Sequence, residues 1–365
     1  MTTYYYNLLS AYTKTFSSNK TAVLTVKPPI DSDVPSNEQN YDFPVYRFNR
    51  TGSKIKTTLD ILLTLPYATK IIKAEKPDIL LVGNMRPFAY YAHRFKKKLG
   101  IPYIIFFHGM DLMRLSKKMT QSFYNKTFFR NILNSASGFI TSSHYAKGLL
   151  IKSLNISQER IKVIHPCVNP DKFEPAPDPV NPILLTIARL APRKGIDTVL
   201  HALPKVVKEI PTLSYKIVGK GNIHYYKQLA KQLSIENHVR FYGYCSDTEL
   251  ITHLQNSTLL IMVSKMLENG IDVEGFGIVY LEANACGKPV IAADTGGVRE
   301  AVEHNYSGLL VPPDDPDATA EALLTLLKND TLRHKLGEQG RERVMKKFVW
   351  DVSAKALDEF LTTLF

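Results

Sequence analysis

Two kinds of apolar patterning alternate along the chain. Short, near-continuous apolar runs at 21–26, 45–48, 78–82, 103–107 and 138–141 read as strands. Those at 78–82 and 103–107 have the character of parallel strands covered on both faces. Helical periodicity fits 5–16, 54–74, 87–99, 117–134 and 143–153 between them. Pro66 falls inside the second of these and is expected to break or kink it. Strand and helix in alternation predict a doubly wound α/β domain. Residues 174–182 then hold four prolines in nine positions and read as a stiff linker. The alternation restarts with strands at 183–188, 213–218, 239–242, 258–263, 289–293 and 308–311, with no repeat of roughly 20–50 residues. Two domains are expected, 1–174 and 183–347. In 348–365, Trp350, Leu357, Phe360, Leu361 and Leu364 share one helical stripe that needs cover.

Composition narrows the setting. A chain of 365 residues has room for two full cores. No apolar run reaches the roughly 18 residues of a membrane-spanning helix, and the first residues lack the basic and apolar regions of a signal peptide. Cys167, Cys245 and Cys286 stand at neither metal nor disulfide spacing, which suggests a reducing, cytoplasmic compartment. The net charge of +12 is unevenly placed: residues 1–175 hold 25 Lys and Arg against 11 Asp and Glu, the remainder 21 against 23. No nucleic-acid motif accompanies the basic half. It is either a generically solvated surface or, the reading that fits better, a contact for anionic membrane through 94–98 and 114–118.

The chemistry concentrates in 271–290. Glu274-Gly275-Phe276-Gly277 is a turn signal; Ile278, Leu281 and Ala285 then recur on one helical face, Gly287 closes the helix, and 289–292 reads as a buried strand. A helix N-terminus entered through glycines presents free N–H groups and a positive dipole end, a site for phosphate. Glu274 and Glu282 flank it. A mostly helical path puts them roughly 10–12 Å apart, beyond the roughly 5–5.5 Å or 6.5–9.5 Å of glycosidase carboxylate pairs. They read as two grips on an extended ligand with phosphates between. Arg189 and Lys194 follow the strand at 183–188, where open α/β sheets bind ligands, and two cations there suit a diphosphate. Gly219 lies in another turn after a strand, and His108 ends the strongest strand of the first domain. No Ser-His-Asp, Cys-His or His/Cys metal spacing is evident.

The wording of 272–283, Asp-Val-Glu-Gly-Phe-Gly-Ile-Val-Tyr-Leu-Glu-Ala, resembles the E-x7-E signature of retaining glycosyltransferases of the family 4-like group. It is most similar to that of bacterial phosphatidylinositol-mannoside mannosyltransferases. The resemblance implies a GT-B fold, α/β, with two Rossmann-like domains facing a cleft and a terminal helix crossing back onto the first. It also implies transfer of mannose or glucose from a nucleotide diphosphate sugar, GDP-mannose ahead of UDP-glucose, without metal or cofactor. The acceptor would be lipid-linked or a polysaccharide precursor. By the same resemblance Glu274 contacts the sugar hydroxyls, Glu282 the ribose, and the N–H groups of Phe276, Gly277 and Ile278 the phosphate. Arg189 and Lys194, at the family's R-x4-K spacing, neutralise the leaving diphosphate. Gly219 lies near the donor, Cys245 sits where backbone groups hold the base, and the 294–300 loop closes over the donor. His108 meets the donor sugar at the reaction centre, and Asp111 orients its loop or meets the acceptor. One departure stands out: family members open with a strand and a glycine-rich loop, whereas no glycine precedes Gly52 here. Either Met1 is an internal start of a longer frame or the first domain is rebuilt without its first strand, and the resemblance covers 75–365 well and 1–75 poorly. That keeps open a second reading, a nucleotide-sugar-binding protein with impaired or no transfer. An epimerase on the same scaffold is disfavoured by the wording of 272–283.

Overall fold

Parallel pairing of the short apolar runs organises the chain. A computed structural model describes residues 2–26, 42–48, 57–108, 115, 123–267 and 272–364. It divides into two units, one of Met1–Thr141, Leu149–Ile164 and Trp350–Phe365, the other of Ser142–Gly148 and His165–Val349.

The first unit opens with the helix Thr2–Thr15, followed by β1 (Val23–Val26) and β2 (Val45–Phe48), which pair in parallel. A four-stranded parallel sheet runs β3 (Leu80–Val82), β4 (Tyr103–Phe107), β5 (Gly138–Thr141), β6 (Ile161–Val163) in sequential order. Every residue of β4 and β5 is buried, as continuous apolar runs demand. Tyr103, Phe107, Ile132 and Phe139 fill the core around them. The helix Thr57–Glu75 runs through Pro66 without breaking. The ring removes one backbone hydrogen bond, a local loss, while Ala68 and Ile71 just beyond it are buried and keep the next turns docked. The helix expected over 87–99 starts later, at Tyr90, after a five-residue π turn at Met85–Ala89.

The last helix, Trp350–Thr362, buries Trp350, Ala354, Leu357, Phe360 and Leu361 in the first unit. Tyr4 packs edge-on to Trp350 at 5.4 Å, and the Tyr12 hydroxyl donates to Asp358 at 3.0 Å. Leu364, on the same sequence stripe, is only partly covered.

The second unit is one six-stranded parallel sheet. Its strands are β7 (Ile183–Ile187), β8 (Ser214–Val218), β9 (Val239–Tyr242), β10 (Leu259–Met262), β11 (Val290–Ala293) and β12 (Gly308–Val311), in the order β12-β11-β10-β7-β8-β9. The chain starts at the centre, winds outward to β9, then returns past β7 to wind the other way. This is the Rossmann order, and its switch point lies between β7 and β10, where such sheets open a crevice for ligands. The proline-rich stretch is strapped to this unit. Its Asp178 pairs with Lys288 and Arg333 at 3.0 Å each, and the Lys288 ammonium donates to Ala176 O at 2.8 Å.

Because Leu357 is fully buried on the terminal helix, Leu357→Ala should destabilise the protein by about 2–5 kcal/mol. Lys355→Ala, on the exposed face of the same helix, should change stability by less than about 0.5 kcal/mol. Equal denaturation midpoints for the two variants would show that the helix is not docked as described.

Candidate active site

At the switch point the loops leaving β7 and β10 meet. A one-turn 3-10 helix, Pro192–Lys194, presents Arg193 and Lys194 to the second loop. Arg193 Nε lies 2.9 Å from Asp272 Oδ1 and its Nη1 2.9 Å from Glu274 Oε2. Lys194 Nζ pairs with the same Glu274 oxygen. These are nearly sealed groups, with side-chain exposures of 8% for Arg193, 14% for Lys194 and 12% for Glu274. Burial by itself raises the Glu274 pKa, but Lys194 and Arg193 more than cancel it and hold the carboxyl below its ordinary value. Glu274 is therefore a fixed anion near neutral pH, suited to accepting hydrogen bonds and unsuited to donating a proton.

The loop carrying Glu274 is backed by the 294–300 segment. Gly297 N–H donates to Glu274 O at 3.1 Å, and a Cβ on Gly297 would stand 2.0 Å from Gly275 O, so only glycine permits this approach. Phe276 is buried, its ring stacked on His165 at 5.3 Å. Gly277, at φ +90°, then turns the chain into the helix Ile278–Ala285; a Cβ there would meet the Tyr280 ring at 2.3 Å. Among the described residues, the N–H groups of Phe276, Gly277 and Ile278 donate to no backbone carbonyl.

That helix corrects the amphipathic reading of its sequence. All its residues are buried except Ile278, 39% exposed, and Glu282 one turn on. The expected apolar face of Ile278, Leu281 and Ala285 does not exist as one face. The helix is packed on every side but a single open stripe, and Glu282 stands on it. Glu282 has no ion-pair or hydrogen-bond partner among the described residues. Burial, then the neighbouring Asp247, push its carboxyl up to about 7. The two carboxylates thus sit in opposite environments, one over-compensated and one unpaired.

Cys245 lies in the same neighbourhood, its thiol raised first by burial and then by Glu249, Asp247 and, further down, Glu282. It is a neutral group rather than a nucleophile. Gly219, at the exit of β8, donates to Tyr242 O at 3.0 Å and Gly243 O at 2.9 Å, tying that turn to the one before Cys245. Beside it, Leu190 N–H donates to Lys220 O at 2.8 Å. The adjacent Arg189 is exposed and has no ion-pair partner among the described residues. The two sequence-chosen cations are therefore unlike: Arg189 open, Lys194 committed to Glu274. Arg193 and Asp272, which complete the cluster, escaped the sequence reading. The tandem Arg193-Lys194 was the available signal.

His108 follows β4 in the first unit. Burial pushes its imidazole down to about 4, so it is neutral at physiological pH. Its Nε2 lies 2.6 Å from the Tyr5 hydroxyl, which also reaches Gly83 O at 3.0 Å. That hydroxyl has one hydrogen, and a carbonyl can only accept, so the network assigns the imidazole proton to Nε2. Asp111 lies outside the described residues.

Comparison with known proteins agrees with this architecture. Residues 21–172 match the family described as Glycosyltransferase Family 4, and residues 169–343 match Glycosyl transferases group 1. A GDP-mannose-dependent alpha-(1-6)-phosphatidylinositol monomannoside mannosyltransferase of Mycobacterium tuberculosis is 35% identical over 213 residues, 55% of each chain. The chain thus spans little more than half the length of that relative. An uncharacterised glycosyltransferase of Methanocaldococcus jannaschii is 31% identical over 283 residues, 77% of this chain and 74% of the relative. Among solved structures, sucrose-phosphate synthase from Thermosynechococcus elongatus superposes with a TM-score of 0.78 at 21% identity, covering 98% and 92% of the two chains. A glycosyltransferase from Rickettsia africae gives 0.75 at 21%, covering 95% and 99%. With two Rossmann-like units, the E-x7-E pair at the switch point, Glu274 in the loop and Glu282 on the helix it leads into, and these matches over nearly its whole length, the chain belongs to the family 4-like glycosyltransferases of GT-B fold.

Proposed function

We propose that the protein transfers a hexose, with retention, from a nucleotide diphosphate sugar to an acceptor hydroxyl. The observation that carries this reading is Glu282: a carboxylate with no partner among the described residues, on the open stripe of a helix whose first N–H groups meet no carbonyl among those residues. A vicinal diol such as ribose satisfies the carboxylate, and a diphosphate satisfies the N–H groups. Glu274, locked as an anion, accepts from the sugar hydroxyls. Arg189 and Lys194 stabilise the charge that grows on the departing diphosphate, which itself takes the acceptor proton. Such a mechanism asks the protein for positioning and electrostatics rather than a general base, and in it neutral His108, its Nε2 proton given to Tyr5, offers Nδ1 as an acceptor to a sugar hydroxyl. Relatives named as GDP-mannose-dependent favour GDP-mannose, while HepE of Anabaena, solved with UDP and glucose, keeps UDP-glucose in view. A donor screen by mass spectrometry, with membrane extract as acceptor, tests the proposal; no hexose transfer from any nucleotide sugar would reject it.

A lipid-linked acceptor fits the basic first unit. Among the described residues no helix is long and apolar enough to cross a membrane. Arg94, Lys97 and Lys98 instead surround a groove with Tyr90, His93 and Phe128. Lys96, grouped with them by sequence, turns inward and donates to Ser135 O at 2.7 Å. Of the second basic stretch, 114–118, all but Leu115 lies outside the described residues.

Three outcomes are expected. Lys194→Ala should lower kcat by about 10²–10³-fold with a much smaller change in donor affinity; an affinity loss alone would assign Lys194 to uniform binding.

Glu282→Gln should weaken the free nucleotide diphosphate, yet stabilise the ligand-free protein above pH 7. The folded pKa of about 7 exceeds the ordinary 4.5, so ionising Glu282 costs folding stability progressively between those values. The cost, up to about 3 kcal/mol, is complete above pH 7 and absent below about 4.5. Denaturation at pH 8 and pH 5 measures it, and an equal difference between variant and wild type at both would refute the environment assigned to Glu282.

Replacing Arg94, Lys97 and Lys98 together by Gln should cost about 3 kcal/mol of docking, roughly a hundredfold in partition onto phosphatidylserine vesicles. Salt should mimic the variant. Wild type that ignores such vesicles at low salt would exclude membrane docking.

A further inference from the structure

Behind the loops that carry Glu274 and Phe276, three side chains of the second unit converge. One ligand atom from each of His144, His165 and Glu300 lies within 4.8 Å of the others. Each of two is braced from behind. The Glu300 carboxylate accepts from His144 N–H at 2.8 Å through one oxygen and from Tyr145 N–H at 3.0 Å through the other. His165 Nδ1 lies 3.1 Å from Ser142 O. A carbonyl only accepts, so Nδ1 carries a proton and Nε2 is turned toward the cluster. There it faces Glu300 Oε2 at 3.8 Å. The His165 ring is held by Phe276 at 5.3 Å and Phe348 at 5.7 Å. The exposed His144 ring stands 6.0 Å from it. The nearby Arg343 is already committed: it pairs with Glu303 at 3.1 Å and donates to the carbonyls of Ala301 at 2.8 Å and Glu300 at 2.7 Å.

We propose that His144, His165 and Glu300 bind one divalent transition-metal ion, with zinc as the reference metal. Imidazole nitrogens with one carboxylate suit zinc and its neighbours rather than magnesium or calcium. The bracing is what metal ligands show: a ring N–H given to a backbone carbonyl, and a carboxylate that is itself hydrogen-bonded. Two ligands at about 2.1 Å from a tetrahedral ion stand roughly 3.4 Å apart, so the 3.8 Å gap closes with a shift of a few tenths of an ångström. The exposure of His144 provides entry and leaves a fourth position to water. A bound ion would fasten residues 144 and 165 to the 297–300 segment that backs the Glu274 carbonyl. It is a structural clamp, separate from the chemistry of transfer and independent of the donor reading.

The test uses the full chain stripped with chelator and titrated with zinc chloride against a chromogenic competitor. One zinc per chain is expected, together with the visible d–d absorption of a four-coordinate site on cobalt(II) substitution. His144→Ala, an exposed change that leaves the fold intact, should weaken zinc binding by at least about tenfold and abolish the cobalt spectrum. Glu300→Gln should do the same, although it also alters a helix start, so His144→Ala is decisive. Wild type that binds no stoichiometric zinc, or His144→Ala that binds as tightly, would overturn the proposal and leave only the 3.8 Å contact between His165 and Glu300.

Discussion

A buried carboxylate held by two cations anchors the second unit. Glu274 is largely withdrawn from water, and Arg193 and Lys194 make its charge tolerable there. Removing one member of such a buried cluster typically costs about 3–5 kcal/mol, because the remaining charge is stranded. The pairing draws the loop after β10 onto the loop after β7 across the sheet's switch point. Once that loop is fixed, Gly297 can pack on Gly275, Phe276 can sink beside His165, and Gly277 can launch its helix in one direction.

Glu282, eight residues on, shows the opposite logic. It is desolvated and has no partner among the described residues, an arrangement that opposes folding and that a stability-optimised sequence would avoid. Its helix is otherwise packed on every side, so the exception stands out against a saturated background. At the start of the same helix, the N–H groups of Phe276, Gly277 and Ile278 meet no carbonyl among the described residues. Donors without acceptors and a carboxylate without donors thus stand on one short helix, and the proposed function rests on that pairing.

The first unit distributes its charge differently. Of the cations on the helix Tyr90–Leu99, Lys96 is spent on the carbonyl that ends the helix Phe123–Ser135, while Arg94, Lys97 and Lys98 frame a groove with aromatic walls. Net charge by itself overstated the number of cations available to a partner. His108, at the carboxyl end of β4, is kept neutral by burial, and its Nε2 proton goes to the Tyr5 hydroxyl, so it brings hydrogen bonding rather than charge to its surroundings.

The sequence by itself determined the strands, the family and the two carboxylates. All six strands of the second sheet lie within a residue of their apolar runs, because a parallel strand buried on both faces must be continuously apolar. Helix faces were less legible. The short helix Ile278–Ala285 has no polar side to mark, and Pro66 looked like a break because local propensity cannot weigh the packing of Ala68 and Ile71 beyond it. Tertiary structure alone decided which cation grips Glu274. Arg189, Arg193 and Lys194 share one loop, and only the turn at Pro192–Lys194, set against the returning β10 loop, separates the open one from the buried pair. It also decided the meeting of His144, His165 and Glu300, which no spacing foreshadows. Periodicity records what each segment must bury against its neighbours, whereas ion pairs and ligand clusters arise where strands distant in sequence end side by side.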